Sequence, residues 1–239
     1  MYKVAWIARF RDGMSKDEAV RHWREIHGPL GRKVPGIERY VQNHAMSSLG
    51  ALGEDEGELA FDGYSCCWYA GRDSFHASLE TPEWDAIMAD GPNLFDVDSF
   101  WGMSAALDER TIIDGDTGPF KAVWIVRFKD DIRGDAARTR EAHEYWTNTH
   151  GGRFGREVPG IDRYVQNHVV EPIGADGADE TLLEFDGFSE CWFADRAAFE
   201  LAMASPEWAE MNQDAENLFD LDFILGGMSA LLEERLVKG

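Results

Sequence analysis

Residues 34–44 read VPGIERYVQNH, and residues 158–168 read VPGIDRYVQNH. The two copies start 124 residues apart, and they differ only where Asp162 replaces Glu38. A match of this length, dense in polar and aromatic side chains, indicates a tandem duplication within one chain. Every later argument can therefore compare one half of the chain with the other.

The repeated stretch predicts a strand with a polar face. Its Pro-Gly pair is typical of a turn, and the residues that follow alternate in character as in a strand. Side chains on a strand point to opposite faces with a period of two. Tyr40, Gln42 and His44 therefore share one face, and Arg39 and Val41 lie on the other. The second copy places Tyr164, Gln166 and His168 in the same row.

A row of phenol, amide and imidazole suits a site that donates, accepts and relays protons. Two structural interpretations remain open: a polar face wetted by solvent, and a hydrogen-bonded network that only fixes packing. The recurrence of the whole row in the same order favours the functional interpretation.

The length of 239 residues fits two units of ordinary domain size. We place them at residues 1–112 and 119–239. Residues 111–119 carry two Gly and two Asp and are interpreted as the linker.

The composition limits the function classes. A net charge of −22 argues against binding to nucleic acid or to anionic membranes, because both need basic patches. We expect a small-molecule substrate instead.

The three cysteines, Cys66, Cys67 and Cys191, form no even-numbered disulfide framework. Together with the lack of a signal-peptide pattern and of a long apolar span, this predicts a cytoplasmic location.

Each half is predicted to follow the order β-α-β-β-α-β, the ferredoxin-like unit. Ser15 and Glu18 form a capping box that starts the first helix, and Gly28-Pro29 is interpreted as its end. Residues 47–59 are expected to be a loop. The last strands are expected to run through Asp98 and Asp222. One such sheet has an open face that must be covered, so we predict an α+β fold in which two fused repeats form a closed pseudo-dimeric barrel.

These motifs suggest a family. The pattern His22-Trp23, His27-Gly28-Pro29-Leu30, Pro35-Gly36 and Arg39-Tyr40-Val41-Gln42-Asn43-His44 resembles the EthD family of dimeric α/β-barrel proteins. The resemblance covers both halves. It implies the ferredoxin-like fold. It also implies, where activity is assigned, cofactor-free proton-transfer chemistry, since muconolactone isomerases and fungal anthrone or aromatic decarboxylases belong to this group of related proteins. It also implies that the His closing the first helix and the Tyr of the second strand line the site.

Carried onto this chain, the resemblance makes four residues candidate catalytic groups: His27, Tyr40, His150 and Tyr164. Histidine titrates near neutrality and is the commonest general acid or base. The alternative for the two histidines is a helix-end cation that complements the macrodipole. Six further residues are candidate substrate-binding groups: Gln42, His44, Trp68, Gln166, His168 and Trp192. For the tryptophans, packing in a core is the open alternative.

Other titratable groups receive weaker assignments. Four aspartates are considered as partners that orient His or Tyr, with turn formation as the alternative: Asp62, Asp186, Asp98 and Asp222. Cys67 and Cys191 lack basic neighbours at a helix start, so they are interpreted as buried structural thiols.

Neither a metal nor a cofactor is expected. His22 and His27 are five residues apart, which is poor helical geometry for binding one metal, and the sequence contains no His-Glu-x-x-His motif and no Gly-rich phosphate loop.

Three function classes stay open: a cofactor-independent lyase or isomerase acting on a small cyclic, lactone or aromatic substrate; a cofactor-free monooxygenase; and a noncatalytic ligand-binding protein. The second half departs from the motif, because Tyr145 stands in place of His22 and Gly152-Arg153 in place of Pro29-Leu30. We therefore expect the first half to be the more active one. Further homodimerisation of the pseudo-dimeric chain is also considered.

Overall fold

The computed structural model describes residues 1–51, 53–54, 57–97, 104–173 and 183–239. The first half contains β1 (Tyr2–Ala8), α1 (Lys16–His22), a π-helical segment (Trp23–His27), α2 (Gly28–Lys33), β2 (Ile37–Gly50), β3 (Gly53–Glu54), β4 (Gly63–Tyr69), α3 (Arg72–Leu79), α4 (Pro82–Leu94) and β5 (Ser104–Ile113).

The second half repeats this order and adds short helices. It contains β6 (Phe120–Val126), α5 (Asp130–Arg133), α6 (Ala136–Tyr145), a π-helical segment (Trp146–Phe154), a 3-10 turn (Gly155–Glu157), β7 (Arg163–Ile173), β8 (Gly187–Phe193), α7 (Arg196–Met203), α8 (Pro206–Ala215), α9 (Leu221–Leu225) and β9 (Ser229–Lys238).

The strands form one closed antiparallel sheet. Their order is β3-β2-β4-β1-β5-β7-β8-β6-β9, and β9 pairs back onto β2. The two halves are joined by two ladders: β2 pairs with β9, and β5 pairs with β7. This confirms the predicted α+β fold, in which two ferredoxin-like repeats close into a pseudo-dimeric barrel.

The side chains of β2 alternate between two hydrophobic cores, as predicted. Val41 and Ala45 belong to the apolar core inside the barrel. Tyr40 points to the outer face, where it packs with Val34 and Ile37 under the helices. A second outer core in the other half holds Tyr164.

Several predicted boundaries are wrong. The Ser15 and Glu18 capping box is present, but the helix does not end at Gly28-Pro29. Gly28 keeps helical angles, with φ −59° and ψ −48°, because the π-helical segment shifts the hydrogen-bond register and α2 continues to Lys33. Pro29 fits at the first turn of α2, where its missing N–H costs little.

Strand pairing also extends beyond the predicted limits. Residues 47–50 of the expected loop belong to β2, because they pair with β3 and β9. Residues 111–113 of the expected linker belong to β5, which pairs with β7. Asp222 lies in α9 and not in a strand, since Asp220 caps a short helix there. Asp98 lies outside the described residues.

We propose that the two repeats, residues 1–112 and 119–239, are folding partners and not independent domains. Expressing residues 1–114 alone is expected to give a homodimer or aggregates, because β2 and β5 would lose their partners β9 and β7 and expose unpaired edges. Light scattering after size exclusion measures the outcome. A stable, soluble monomer would contradict the proposal.

Within the described part of the chain, no helix has the length and apolar character that a membrane span needs. Cys66, Cys67 and Cys191 are free and buried, as expected for structural thiols.

Candidate active site

The site begins at the π-helical segment Trp23–His27. There the N–H of Gly28 bonds to the carbonyl of Trp23, and the side chain of Gln42 donates to the same carbonyl at 3.1 Å. Gln42 also donates to the Tyr40 hydroxyl at 3.0 Å. A Cβ on Gly28 would lie 2.7 Å from Gln42 Nε2, so only glycine allows this approach. The His-Gly pair of the motif therefore positions the helix against the polar row of β2.

The second half repeats this arrangement. Gln166 donates to the Trp146 carbonyl and to the Tyr164 hydroxyl, each at 2.9 Å. A Cβ on Gly151 would lie 2.4 Å from Gln166 Nε2. The duplicated sequence thus produces a duplicated scaffold, in which each glutamine fixes a tyrosine.

His27 is held by a carboxylate that sequence reasoning missed. Its Nδ1 lies 3.0 Å from Asp90 Oδ2, and Asp90 Oδ1 lies 3.0 Å from His22 Nε2. The two histidines therefore share an aspartate. In the second half, Asp214 contacts His150 Nδ1 at 2.9 Å and accepts a bond from the Tyr145 hydroxyl at 2.6 Å.

A sequence signal for these aspartates exists. Asp90 and Asp214 are 124 residues apart, the same offset as the repeated stretch. Each lies eight residues after the proline that opens its helix, Pro82 or Pro206. Asp62 and Asp186 instead accept bonds from the backbone N–H groups of Phe10 and Phe128, as turn-forming aspartates do.

The surroundings keep His27 uncharged near neutrality. Burial lowers the pKa of His27, although its hydrogen bond to Asp90 acts in the opposite direction. For Asp90, burial acts to raise the pKa, but hydrogen bonds from His22 and His27 lower it overall. A neutral imidazole that donates Nδ1–H to a carboxylate presents Nε2 as a base. That arrangement is the usual one for general base catalysis.

His27 and Tyr40 line one apolar cavity of about 290 Å³. It lies between the outer face of the sheet and helices α2 and α4. Gly31 makes room for the tyrosine, since a Cβ there would lie 2.8 Å from the Tyr40 ring. Exposed Met88 and Val97 belong to its lining and lie where it meets solvent. Aromatic and small residues complete much of the wall: Trp6, Ala8, Ser65, Tyr69, Trp84 and Gly91.

Tyr40 keeps its proton at neutral pH. Burial raises the pKa of Tyr40 to about 12, and the nearby Cys67 thiol adds to the increase. Gln42 donates to the Tyr40 oxygen, and Ser65, which also lines the cavity, is a second hydrogen-bonding neighbour, so the hydroxyl hydrogen is directed to an acceptor in the cavity. The Tyr40 hydroxyl is therefore a hydrogen-bond donor and not a base.

The structure does not bring all predicted residues together. Trp68 and Trp192 lie on the inner face of the barrel, opposite Tyr40 and Tyr164, because the strand period sends alternate residues to opposite faces. Trp68 and Trp192 therefore cannot form the wall of the His27 cavity, and the expectation of a shared site was wrong.

His44 and His168 also lie away from the cavity. His44 packs on Trp23, with ring centroids 4.7 Å apart, and its pKa falls to about 4, mainly through burial and then through Arg24. His168 Nδ1 lies 2.7 Å from His143 Nδ1, and burial together with His143 lowers the pKa of His168 to about 2.

Larger and more deeply packed side chains occupy the equivalent region of the second half. Val126 stands in place of Ala8, and Ala215 in place of Gly91. Trp208 is only 4% exposed and packs with Met211 in the same core as Tyr164, whereas the equivalent Trp84 is half-buried. The His150 and Asp214 pair is therefore retained where the space beside it is reduced.

Comparison with known proteins places the chain in a family. The sequence model of the EthD domain matches residues 11–98 and 136–222, together more than half of the chain. The chain belongs to the EthD family. None of the curated proteins compared with it matches significantly.

Solved structures share the fold of this EthD protein. An anthrone oxidase-like protein superposes with a TM-score of 0.56 at 8% identity, covering 100% of this chain and 93% of that chain. A protein of Fusobacterium nucleatum, described as a candidate monooxygenase, gives a TM-score of 0.54 at 9% identity, covering 99% and 92%. An EthD family protein of Bacillus halodurans is 22% identical over 40% of this chain and 87% of its own, with a TM-score of 0.33. For the first two structures, at 8% and 9% identity, the likeness shows the fold and no shared reaction.

Replacing Asp90 by asparagine is expected to lower turnover about 10- to 100-fold, because the carboxylate orients His27 and stabilises its protonated form. The carboxylate also raises the pKa of His27 against the effect of burial. Activity that needs neutral His27 rises with pH through that pKa, so the acidic limb of the kcat/KM profile should move to lower pH. Asp214→Asn is the matched control and should leave the profile unchanged. An unchanged profile in Asp90→Asn would contradict the assignment.

Proposed function

We propose that this EthD protein is a cofactor-independent lyase or isomerase that uses His27 and Tyr40 in acid-base chemistry. The observation that carries the proposal is the Asp90-oriented His27 at an apolar cavity that Tyr40 also lines. The first half is the working half, since it has the open cavity and the equivalent region of the second half carries larger and more deeply buried side chains. The free, buried cysteines also support a reducing, cytoplasmic location as part of this proposal.

The reaction begins with proton transfer from carbon. His27 Nε2 takes a proton from a carbon beside a carbonyl or carboxyl group, and the C–H electron pair moves into an enolate. The imidazolium that forms is stabilised by Asp90, 3.0 Å from Nδ1. Tyr40 donates a hydrogen bond to the enolate oxygen, and donors placed where charge develops are typically a large term in catalysis.

The fate of the enolate decides the class. Return of the proton to a different carbon gives an isomerase. Expulsion of a leaving group from the neighbouring carbon gives a lyase. In both cases His27 is restored by giving up the proton it took, so the residues close a cycle without an external electron donor.

The walls limit the substrate. A cavity of about 290 Å³ with aromatic walls suits one or two fused rings. Its few polar groups include His27, Tyr40, Ser65 and the hydroxyl of Tyr69, and they suit a single carbonyl or carboxyl function. We therefore propose a small cyclic substrate such as a lactone or an aromatic or polyketide-like acid.

A cofactor-free monooxygenase is the second candidate. The same base could form a carbanion that reacts directly with oxygen, provided that the substrate is itself oxidisable. The Fusobacterium nucleatum protein described as a candidate monooxygenase and the anthrone oxidase-like protein share the fold of this chain. That likeness makes a monooxygenase activity worth testing but does not favour it. A noncatalytic binder would hold the same ligand unchanged.

Proton exchange separates these candidates. Lactones and aromatic acids are incubated with the protein in D₂O and followed by NMR, with an oxygen electrode and EDTA in parallel. The proposal predicts deuterium at an activated carbon and product formation, without oxygen uptake and with activity retained in EDTA. Oxygen consumption matched to product would establish the monooxygenase instead. Recovery of every compound unchanged and undeuterated, despite measured binding, would favour the binding protein.

A further inference from the structure

A second cavity, of about 230 Å³, lies inside the barrel. Two lysines occupy it in pseudo-symmetric positions near the start of each half. Lys3 Nζ lies 4.7 Å from the centre of the Trp68 ring, and Lys121 Nζ lies 4.4 Å from that of Trp192. Both lysines are almost fully buried. The proton chemistry proposed for the His27 cavity uses none of these groups.

Glu190 organises one side of this cavity. Its carboxylate lies 2.6 Å from Lys121 Nζ, and it accepts bonds from Asn167 Nδ2 at 2.9 Å and from the Tyr64 hydroxyl at 2.6 Å. Lys121 also donates to Glu234 at 2.6 Å and to Asn43 Oδ1 at 2.8 Å. All three N–H groups of Lys121 therefore have acceptors.

The other side lacks the equivalent carboxylate. Cys66 stands at the position of Glu190 in the repeat. Asn43, equivalent to Asn167, is 1% exposed, and its Nδ2 has no hydrogen-bond partner among the described residues. Lys3 donates to Glu109 and to Asn167 Oδ1, each at 2.6 Å, but Glu190 is 3.7 Å away. Within the described chain, one N–H of Lys3 and both of Asn43 Nδ2 thus lack an acceptor.

The gap lies among cationic groups. The lining carries four cationic side chains and three carboxylates, and Arg163 has a further partner, Asp114, outside the lining. Buried donors without acceptors are rare and costly, and charged ones more so. The lining includes exposed Arg39, which gives a small solute a route from solvent.

We propose that the barrel interior binds a small monocarboxylate beside Cys66, where its oxygens accept hydrogen bonds from Lys3 and Asn43 as Glu190 does from Lys121 and Asn167. The gap corresponds to the end of one glutamate side chain, which limits the ligand to the size of formate or acetate. This site is separate from the His27 cavity, since β4 sends Cys66 and Cys67 to opposite faces of the sheet.

Thermal unfolding of the full chain in formate, acetate, phosphate or chloride at equal ionic strength tests the proposal. Formate or acetate at roughly ten times its Kd should raise Tm by about 3–6 °C, and chloride should not. Cys66→Glu supplies the carboxylate internally, so this variant should unfold at a higher Tm than Cys66→Gln and should no longer respond to acetate. Cys66→Ser is the matched control and should keep the response.

NMR provides a second measurement that does not depend on the Cys66→Glu variant folding. Acetate added to the wild-type protein should shift the side-chain amide signal of Asn43 saturably, with the signal assigned by its loss in Asn43→Ser. The Asn167 amide should respond less, because Glu190 already accepts from it. The proposal is overturned if acetate leaves the Asn43 signal unmoved, or if only phosphate or chloride binds. An acetate response retained in a folded Cys66→Glu variant would overturn it as well.

Discussion

Replacing His27 by alanine should lower turnover roughly 10²- to 10⁴-fold, the usual contribution of a general base. The imidazole is the group on which the proposed reaction depends, because Asp90 fixes Nδ1 and leaves Nε2 for the cavity. The variant should fold, since His27 borders a cavity and Asp90 keeps its hydrogen bond to His22 when the imidazole is removed. Circular dichroism checks the fold, and initial rates with the substrate found by deuterium exchange measure the effect.

His150→Ala is the matched control for that prediction. It removes the equivalent imidazole from a region where Trp208 and Met211 are packed with Tyr164. Turnover should stay close to wild type, and the double variant should match His27→Ala alone. If the folded double variant works at the wild-type rate, His27 is not the base. Equal losses in the two single variants would mean that both halves are active.

Replacing Glu190 by glutamine is expected to lower the free energy of unfolding by about 3–5 kcal/mol, the usual cost of breaking a buried ion pair. The change keeps the size of the side chain but leaves Lys3 and Lys121 with less compensation for their buried charges. Urea unfolding measures the loss. Cys66→Ser, at the equivalent position of the other half, should cost far less, because Cys66 has no comparable ionic partner.

The stability difference between wild type and Glu190→Gln should depend on pH in a defined direction. Burial acts to raise the pKa of Glu190, but Lys121 and Lys3 lower it overall to about 2. A carboxyl group with a depressed pKa contributes stability above its unfolded pKa and loses it as the pH falls through the folded value. The difference in stability between wild type and Glu190→Gln should therefore be full above about pH 5 and shrink towards pH 2. A difference that does not change with pH would show that ion pairing is not its origin.

The sequence predicted the parts of the molecule that local pattern controls. The repeated stretch at residues 34–44 and 158–168 predicted the duplication, the second strands and their two faces. Ser15 and Glu18 predicted a helix start, which depends only on neighbours in sequence. The barrel followed because two ferredoxin-like sheets need a cover for their open faces.

Long-range contacts account for what was missed. Asp90 reaches His27 across 63 residues of sequence, and helical spacing carries no information about that contact. Gly28-Pro29 has the residue types of a helix end. The helix nevertheless continues past it through the π-helical segment, where Gln42 of β2 donates to the Trp23 carbonyl, and local sequence does not reveal that contact. Trp68 was assigned to the site by its character, but its strand sends it to the inner face.

The sequence predicted that the second half would be less active, but on other residues than those that distinguish the two halves in the structure. The motif predicted a weaker second half from Tyr145 and Gly152-Arg153. In the structure Tyr145 takes over the hydrogen bond of His22 to the aspartate, so that substitution preserves the orientation of His150. The difference comes from the space beside the pair, where Val126 and Ala215 replace Ala8 and Gly91.

Ligand stoichiometry tests the central claim, that one cavity in the first half is the working site. The substrate, or a competitive inhibitor of it, is titrated calorimetrically into wild type and into Gly91→Phe, which fills the cavity from α4 at a position where an added Cβ meets nothing within 4 Å. We expect one ligand per chain in wild type, the same in His150→Ala, and none in Gly91→Phe. Two equivalent ligands per chain, or full binding in a folded Gly91→Phe variant, would contradict the account.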